Sequence, residues 1–423
     1  MLKATIGPVQ AVSLYVGAVV GSGVLLVPGL AAEIAGPASL LAWVLVSFLV
    51  VPPVLTLGML SARYPDAGGV AAFVRTAFGR SAGAVVGWFF LLSVPMGAPI
   101  VAVTAAAYVG AALPLGGAGQ AGAAVVILAA VLATNLLGMR LAGGVQVLVV
   151  AAVVGVIVFT VGGALPKIEA ANFAPFAPHG WPAVGQAAAV MFWCFIGWEA
   201  VTHLSEEFVD PQRDVLRSVG LSLGVVSVLY FTVALSTVGT GSYGGESGSY
   251  AALAVMMRDL VGPAAGAVTG VTAFLICIAA ANAYVGGAAR VALALARAGA
   301  APRFLGRMDA VRSVPVGGLC FVGTGAAVFL GLLLTGRVTV AELILFPNAT
   351  FVAIYLGGSL AGIRLLRDTG WGVRTAWMSL AATAAVYVFL GRAALLPLTV
   401  VLAWGFFTFF KGRWFYFKAR LAR

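Results

Sequence analysis

The chain has 423 residues, of which 62% are hydrophobic and only 9% are charged. Because soluble domains carry about a quarter charged residues, this composition excludes a soluble protein and indicates an integral membrane protein. The formal net charge of +11 is therefore interpreted as a signal for membrane orientation and not for nucleic-acid binding.

Apolar runs recur along the whole chain, and each is long enough to cross a bilayer as a helix, which takes about 20 residues. We predict twelve spans, at residues 9–32, 37–62, 82–113, 121–139, 142–165, 184–208, 216–239, 260–288, 316–335, 339–362, 374–391 and 394–410. The connections are too short for a soluble domain, and the first run is too long for a cleavable signal peptide. Cys194, Cys277 and Cys320 all lie inside spans, so no disulfide framework is expected.

The positive residues predict the orientation. An even number of spans places both termini on one side of the membrane. Of the 24 lysines and arginines, only Lys167, Arg258, Arg337 and Arg392 then fall on the opposite side. Since lysine and arginine are enriched in cytoplasmic loops, we expect both termini in the cytoplasm.

Two of the predicted spans contain a glycine break at their middle. The first, at residues 21–23, follows about 16 Å of helix that begins at Gln10. The second, at residues 196–199, stands at the same depth in the sixth span. Because the two spans lie five apart, they enter the membrane from opposite faces, which is typical of an inverted repeat with discontinuous helices.

The predicted fold is therefore an all-α membrane protein with a five-plus-five inverted repeat and two added helices. Residues 1–165 form the first repeat and residues 166–362 the second. Residues 363–423 hold the last two spans and a basic, aromatic tail that is expected to lie at the membrane interface.

The first break, Gly21, Ser22 and Gly23, is a candidate binding site for a carboxylate. An unwound segment leaves backbone N–H groups unpaired, and a helix restarting at Val24 directs the positive end of its dipole at the same place. The alternative is close helix packing through the Gly17 and Gly21 pair.

The second break is a candidate site for an ammonium group and for control by protonation. Carbonyls freed between Trp193 and Ile196 suit a substrate ammonium. Glu199 would open the second half of this helix, and an ionisable residue inside a membrane indicates a function by default. The alternative is that Glu199 only caps the helix close to cytoplasmic water.

Further side chains are candidates for the walls of the pocket. They are Trp193, Phe195, Ile196 and Gly197 at the second break, and Met96, Asn282 and Asn348 in spans 3, 8 and 10. Buried amides need hydrogen-bond partners, so the alternative for the two asparagines is bonding between helices. Residues 346–348 are expected to interrupt the tenth span, and the charged run 206–214 to form either a cytoplasmic ion-pair gate or a solvated loop.

Several kinds of chemistry lack a motif. The sequence has no phosphate-binding glycine loop, no Cys and His cluster at metal spacing and no Ser/His/Asp arrangement in catalytic context. An enzyme or an ATP-driven pump is therefore not expected, and neither is a metal or other cofactor.

These residues resemble the amino acid–polyamine–organocation (APC) superfamily of transporters along essentially the whole chain. The resemblance is carried by residues 21–23 followed by Pro28, by residues 195–199, by the segment 64–69 (YPDAGG) and by the segment 135–138 (NLLG). The phrase from Phe195 to Asp214 is most similar to the methionine and branched-chain amino acid exporters of that superfamily.

The resemblance implies transport by alternating access, in which spans 1, 2, 6 and 7 rock as a bundle. It assigns Val19, Gly21, Ser22 and Gly23 to the substrate carboxylate, Trp193, Phe195 and Ile196 to the amine and the gate, and Glu199 to proton-linked control. Sodium-driven members place adjacent hydroxyls in span 8. Residues 279–283 have none, so proton coupling or exchange is expected.

We therefore expect a secondary transporter that exports or exchanges methionine, leucine, isoleucine and valine in a prokaryotic plasma membrane, as a monomer or homodimer. A cationic amino acid or polyamine antiporter is the alternative, and it would need Glu199, Glu33 or Glu342 to face the substrate. A non-transporting membrane sensor is the alternative of another class, but no cytoplasmic domain is predicted to pass on its signal.

Overall fold

The fold is seen in a computed structural model that describes residues 8–66, 68–113, 115–138, 143–202, 211–309 and 311–421. These residues are almost entirely helical. They contain no β-strand, and their one β-bridge joins Asp309 to Val314.

Sixteen α-helices follow one another along the described residues. They are α1 (Pro8–Val19), α2 (Ser22–Ala35), α3 (Ser39–Arg63), α4 (Gly69–Phe78), α5 (Arg80–Ala112), α6 (Gly117–Leu136), α7 (Gly143–Ala164), α8 (Pro182–Met191), α9 (Trp198–Thr202), α10 (Pro211–Gly239), α11 (Gly245–Val261), α12 (Pro263–Arg297), α13 (Val316–Leu334), α14 (Val340–Leu365), α15 (Gly370–Val388) and α16 (Leu395–Leu421). Short 3-10 helices lie between them, including Phe192–Phe195 and Arg303–Gly306.

The helices follow the predicted apolar spans. Each of the predicted stretches holds one helix or, for the first and sixth, two helical halves. Within the described residues, eight helical stretches are long and apolar enough to cross a membrane. The all-helical membrane class is confirmed, while the twelve-span inverted repeat stays a proposal.

The two broken helices cross in opposite directions. The first half of one, α1, contacts the second half of the other, α9, and α2 contacts α8. This pairing brings the two breaks together near the middle of both helices. It is the arrangement expected if the first and sixth spans enter the membrane from opposite faces.

The first break is shorter than the sequence predicted. Only Val20 and Gly21 are non-helical, and α2 begins at Ser22 instead of Val24. The prediction equated free backbone N–H groups with unwound residues. The first four N–H groups of any helix lack an intrahelical partner, so Ser22 and Gly23 can be helical and still offer their amides.

The expected interruption of the tenth span is wrong. Helix α14 runs without a break from Val340 to Leu365, with Pro347 inside it. Proline removes one backbone hydrogen bond, but membrane helices tolerate this where neighbouring groups bind the freed carbonyls. The helix continues beyond the proline, and the Thr350 hydroxyl donates back to the Pro347 carbonyl at 2.8 Å.

Two connections contain helices of their own. The connection after the second span contains α4, and the connection after the seventh span contains α11. The proposed ion-pair gate at 206–214 falls largely on residues 203–210, which lie outside the described residues.

Candidate substrate-binding site

The two breaks touch through their backbones, and two glycines permit the contact. Gly197 has a φ of +130°, and a Cβ there would lie 2.5 Å from the Ala18 carbonyl oxygen. A Cβ on Gly23 would lie 2.9 Å from the Cys194 sulfur and 3.0 Å from its Cα. No side chain fits at either contact, so these positions require glycine.

A tyrosine from α10 joins the two breaks. The buried Tyr230 hydroxyl lies 2.8 Å from the Val19 carbonyl and 3.0 Å from the Cys194 carbonyl, and can donate to either. Both carbonyls belong to the ends of interrupted helices, where the usual i+4 partner is missing. Tyr230 therefore links the two breaks, although its single proton serves one carbonyl at a time, and the Val19 carbonyl also accepts from the Gly21 N–H at 2.8 Å.

A cavity of about 590 Å³, counted with the space at its mouth, opens where the breaks meet. It is lined by Ala18, Val19, Gly21, Ser22, Gly23, Ser93, Val94, Gly97, Ala98, Val101, Trp193, Ile196, Ala280, Ala281, Tyr284 and Phe351. None of these lining side chains is an acid, a lysine, an arginine or a histidine.

The structure brings together six of the predicted site residues. Val19, Gly21, Ser22, Gly23, Trp193 and Ile196 all line the cavity. The N-terminus of α2 opens there with no side chain capping it. Its first amides and the positive end of its dipole are thus available to an anionic group in the cavity.

Trp193 forms a close wall of the cavity. A Cβ on Gly97 of α5 would lie 3.0 Å from the far edge of the Trp193 indole, so the ring crosses from the second break to α5. A Cβ on Gly23 would lie 3.4 Å from the near edge of the same ring. The indole is therefore held between glycines of two different helices.

Phe195 and Gly197 lie behind the cavity lining. The Phe195 ring is fully buried and packs edge-on against Tyr230, with 5.5 Å between ring centroids. Trp43 packs against both of these rings. Gly197 occupies the contact with Ala18 described above. Both residues support the second break and do not line the cavity.

The two asparagines bond to other helices and do not line the cavity. Asn282 accepts hydrogen bonds from Thr134 at 2.7 Å and Asn135 at 2.9 Å, which attaches α12 to α6. The Asn348 side-chain amide donates to the Ala189 carbonyl at 2.8 Å, near the end of α8. These are the interhelical bonds that the sequence left open as the alternative.

Met96 lies on the other side of α5 from the cavity. It is buried, but it lines a different cavity between α5, α13 and α16. Its helix neighbour Gly97 faces Trp193 instead. The sequence placed Met96 in the pocket because it stands beside Pro95 and Gly97, and sequence proximity does not determine which face of a helix a side chain occupies.

Glu199 is buried, with 3% of its surface exposed, and it is held by hydrogen bonds alone among the described residues. Its Oε2 accepts from the Gly197 N–H at 3.0 Å and from the Tyr355 hydroxyl at 2.7 Å. The Tyr284 hydroxyl lies 3.4 Å from Oε1. Glu199 thus caps the second break, as one reading proposed, and also contacts a tyrosine that lines the cavity.

Comparison with known proteins assigns the family. Residues 6–418 match the family described as amino acid permease. The chain belongs to the amino acid permease family. The resemblance found in the sequence is thereby confirmed, and with its apolar helices the chain is a multi-pass membrane protein.

Three relatives are similar to this permease over most of its length. An uncharacterized amino acid permease, YecA of Bacillus subtilis strain 168, is 37% identical over 420 residues, which are 97% of each chain. The L-methionine/branched-chain amino acid exporter YjeH of Escherichia coli K12 is 32% identical over 374 residues, 86% of this chain and 87% of its own. The branched-chain amino acid permease BcaP of Bacillus subtilis is 25% identical over 350 residues, 77% and 74% of the two chains.

Three tyrosines of this permease contact the breaks or Glu199 and were not predicted from the sequence. Tyr230, Tyr284 and Tyr355 direct their hydroxyls at the breaks or at Glu199. The one available signal was a tyrosine near the middle of an apolar span, since a buried hydroxyl requires a partner. That signal does not say which partner, because the groups it meets come from helices distant in sequence.

Proposed function

We propose that this permease is a secondary transporter of methionine, leucine, isoleucine and valine in the plasma membrane. The observation that carries the proposal is the cavity between the two breaks. It joins the uncapped N-terminus of α2 to apolar walls, and its lining has no charged side chain. Such a site suits a zwitterion with an uncharged side chain.

The proposed substrate binds with its carboxylate at the first break. The amides of Ser22 and Gly23 and the Ser22 hydroxyl are the nearest donors on the α2 N-terminus. A carboxylate there is stabilised both by hydrogen bonds and by the helix dipole. No lysine or arginine is needed to hold it.

The proposed ammonium site has fewer available carbonyls than the sequence suggested. Between Trp193 and Ile196, the Cys194 carbonyl lies 3.0 Å from the Tyr230 hydroxyl and the Phe195 carbonyl 3.3 Å from the Tyr355 hydroxyl, so each of these carbonyls already faces a tyrosine. We therefore assign the ammonium to carbonyls of Ala18 and Ile196, which both line the cavity. The ends of interrupted helices carry partial negative charge, which favours a cation.

The cationic alternative is disfavoured by the same cavity. An unpaired ammonium on the substrate side chain would be buried without a carboxylate, at a cost of several kcal/mol. Glu199 lies behind Tyr284 and already accepts hydrogen bonds. Glu33 and Glu342 are exposed and do not line the cavity, and Glu342 forms a capping box with Thr339.

Alternating access is proposed through the inverted repeat, with residues 1–165 and 166–362 as its two halves. The moving bundle would consist of the two broken helices with α3 and α10. In support of this, α10 packs against α1, α2 and α3, and its Tyr230 is bonded to both breaks. The uneven distribution of positive residues supports cytoplasmic termini.

Export, coupled to protons or to exchange, is the proposed direction. The proposed direction rests on the relative YjeH, an exporter that is named for the same group of substrates. Glu199 is the proposed proton-responsive group, because it contacts the cavity-lining Tyr284 and caps the second break.

The function is tested by flux in vesicles reconstituted with the purified chain. We expect saturable leucine and methionine flux that excess isoleucine or valine inhibits and excess arginine does not. If arginine, lysine or a polyamine inhibits the flux and leucine does not, the cavity binds a cationic substrate. Absence of saturable flux of any amino acid, with a folded protein in the vesicles, would contradict transport.

The direction is tested separately in cells that express the chain. Cells preloaded with labelled methionine should lose it faster than cells without the chain, and their methionine uptake at low external concentration should not increase. Increased uptake with unchanged efflux would show an importer with the same substrates.

A further inference from the structure

A second cavity lies on the opposite side of α5 from the substrate site. It occupies about 1010 Å³, counted with its open side, between α5, α13 and α16. It is lined by Leu92, Pro95, Met96, Phe304, Cys320, Phe321, Thr324, Gly325, Phe329 and Leu396. We call it the α5–α13–α16 groove, and its walls are almost wholly apolar.

One stretch of α5 separates the groove from the substrate cavity. Leu92, Pro95 and Met96 line the groove, whereas Val94 and Gly97 line the substrate cavity. The floor of the groove is a close contact, since a Cβ on Gly325 of α13 would lie 2.8 Å from the Pro95 Cβ. The two cavities therefore share a wall one helix thick.

The groove opens toward the region that lipid occupies. Helices α5 and α13 and the stretch Gly391–Thr408, which includes the first half of α16, are each long and apolar enough to cross a membrane. Cys320 and Thr324, one turn apart on α13, are exposed at the opening. An apolar opening between membrane-spanning helices that no described residue covers meets acyl chains and not water.

Basic residues stand at one end of the groove. The 3-10 helix Arg303–Gly306 packs against the start of α13, where Gly317 has no side chain to obstruct the Phe304 carbonyl. The Gly317 N–H donates to the Arg307 carbonyl at 3.1 Å, which fixes this loop beside the groove. Arg303 and Arg307 are exposed, and neither lies within ion-pair distance of a described carboxylate.

We propose that the α5–α13–α16 groove binds an acyl chain of an anionic bilayer phospholipid, whose phosphate contacts Arg303 and Arg307. The apolar walls accept the chain, and the unpaired guanidinium groups next to Phe304 distinguish an anionic headgroup from a zwitterionic one. Phe304 belongs to both parts, because it lines the groove and follows Arg303 in sequence. This proposal does not depend on which amino acid the permease transports.

A bound chain would pack against the reverse side of the substrate-cavity wall. Pro95 lies at that wall, and proline removes a backbone hydrogen bond from α5 at this level. The acyl chain would therefore support α5 at one of the two levels where a proline removes a backbone hydrogen bond, the other being Pro99. We expect lipid in the groove to hold Gly97 of α5 against Trp193. In that position α5 closes one side of the substrate cavity.

The test is native mass spectrometry of the purified full-length chain with phosphatidylglycerol and phosphatidylcholine of identical acyl chains at equal concentration. We expect one phosphatidylglycerol to remain bound at activation energies that remove phosphatidylcholine. Arg303→Gln should reduce this preference about fivefold, the effect of one basic residue on an anionic lipid surface. Arg337→Gln, an exposed arginine beyond the opposite end of α13, is the control and should not change it.

The groove itself is tested by filling it. Thr324→Trp should remove the retained phosphatidylglycerol, whereas Thr272→Trp on α12, where the threonine hydroxyl also lies on the exposed side, should leave it bound. If Thr324→Trp is not recovered as a folded protein, Cys320→Phe fills the groove from the neighbouring turn. Thermal melts of each variant establish folding before lipid is added.

Three results would overturn the proposal. Equal retention of the two lipids by the parent chain would show that the groove does not distinguish an anionic headgroup from a zwitterionic one. Unchanged retention of phosphatidylglycerol in a folded Thr324→Trp variant would place the lipid elsewhere. The third result is a parent chain that is a dimer without retained lipid and that dissociates when Thr324→Trp is introduced. The groove would then be the contact with a second copy of the chain.

Discussion

The two helix breaks are alike in position and different in how their backbone groups are satisfied. At the second break, Glu199 accepts from the Gly197 N–H, Tyr230 donates to the Cys194 carbonyl and Tyr355 lies 3.3 Å from the Phe195 carbonyl. At the first break, the α2 N-terminus has no side-chain cap. The second break thus has side chains at three of its backbone groups and leaves the Ile196 carbonyl for the proposed ammonium, whereas the first break leaves N–H donors for the proposed carboxylate.

This difference indicates separate roles for the two breaks. Unsatisfied N–H groups in a low-dielectric site cost free energy, which a bound carboxylate would recover. We therefore propose that the first break binds the carboxylate through its free N–H groups, and that the second, held largely by side chains, supports the first and supplies a carbonyl to the ammonium. Variants at each break test that division, beginning with the contact between the breaks.

The largest effect is expected from Gly197→Ala. A Cβ at this φ of +130° would lie 2.5 Å from the Ala18 carbonyl, so the two breaks could not touch as they do. The backbone strain alone costs on the order of 1–3 kcal/mol, and the clash adds to it. We expect leucine flux to be abolished and the melting temperature to fall.

Gly21→Ala is the matched control, because the nearest atom to its Cβ is the Ala280 Cβ at 4.0 Å. It should fold like the parent chain and alter leucine affinity alone. Full flux in Gly197→Ala would show that the breaks need not touch during transport.

The next effect is expected from Tyr230→Phe, which removes the hydroxyl shared by the Val19 and Cys194 carbonyls. Leaving a buried acceptor unsatisfied costs about 2 kcal/mol, which corresponds to roughly a 30-fold loss in transport rate if the breaks must stay joined. Tyr108→Phe is the control, since its equally buried hydroxyl donates to the Leu25 carbonyl within α2 at 3.0 Å.

Both variants should lose stability, which a thermal melt measures. Only Tyr230→Phe should lose flux beyond what its melting temperature explains. If the two variants lose flux equally, Tyr230 is a stabilising residue without a special role at the breaks.

Glu199→Gln is expected to change the pH dependence of leucine flux more than the apparent affinity. The substitution removes the ionisable group but keeps an oxygen that can accept from the Gly197 N–H. Tyr355→Phe is the comparison, because it removes the 2.7 Å hydrogen bond and leaves the carboxyl in place. The pH profile of leucine flux should become flatter in Glu199→Gln and keep its shape in Tyr355→Phe.

A pH profile that is identical in the parent chain and Glu199→Gln would contradict proton-linked control by this residue. Its remaining role would then be that of a cap on the second break.

The helices and the breaks could be predicted from the sequence because they depend on local signals. Apolar length gives the spans, and glycine beside an ionisable residue in an apolar run marks a break. This was enough to place Gly21, Ser22, Gly23 and Trp193 around the cavity, whereas Val19 was expected there only from the resemblance to the APC superfamily. It was also enough to orient the two broken helices against each other.

The remaining parts depend on which helix faces which. Met96 and Asn282 sit at plausible depths, but their faces point to the α5–α13–α16 groove and to α6. Tyr230 bonds to residues 211 and 36 positions away. In a membrane helix that is apolar on all sides, periodicity does not distinguish the face that lines a site from the face that meets lipid.

The smallest effect is expected far from both breaks, at the ion pair of Arg63 and Asp368. It joins the end of α3 to the α14–α15 loop, and both side chains are partly exposed. Exposed pairs contribute little to stability. Asp368→Asn should therefore lower the melting temperature slightly and leave leucine affinity unchanged, because the cavity is elsewhere.

The pH dependence of this small effect has a definite sign. The hydrogen bonds from Arg63 lower the pKa of Asp368 in the folded protein. A lowered folded pKa stabilises the protein above the unfolded pKa, and this stabilisation disappears as the pH falls through the folded value. The difference in melting temperature between the parent chain and Asp368→Asn should be present at neutral pH and vanish in strong acid. A changed leucine affinity in Asp368→Asn would instead show that the ends of the helices are coupled to the breaks.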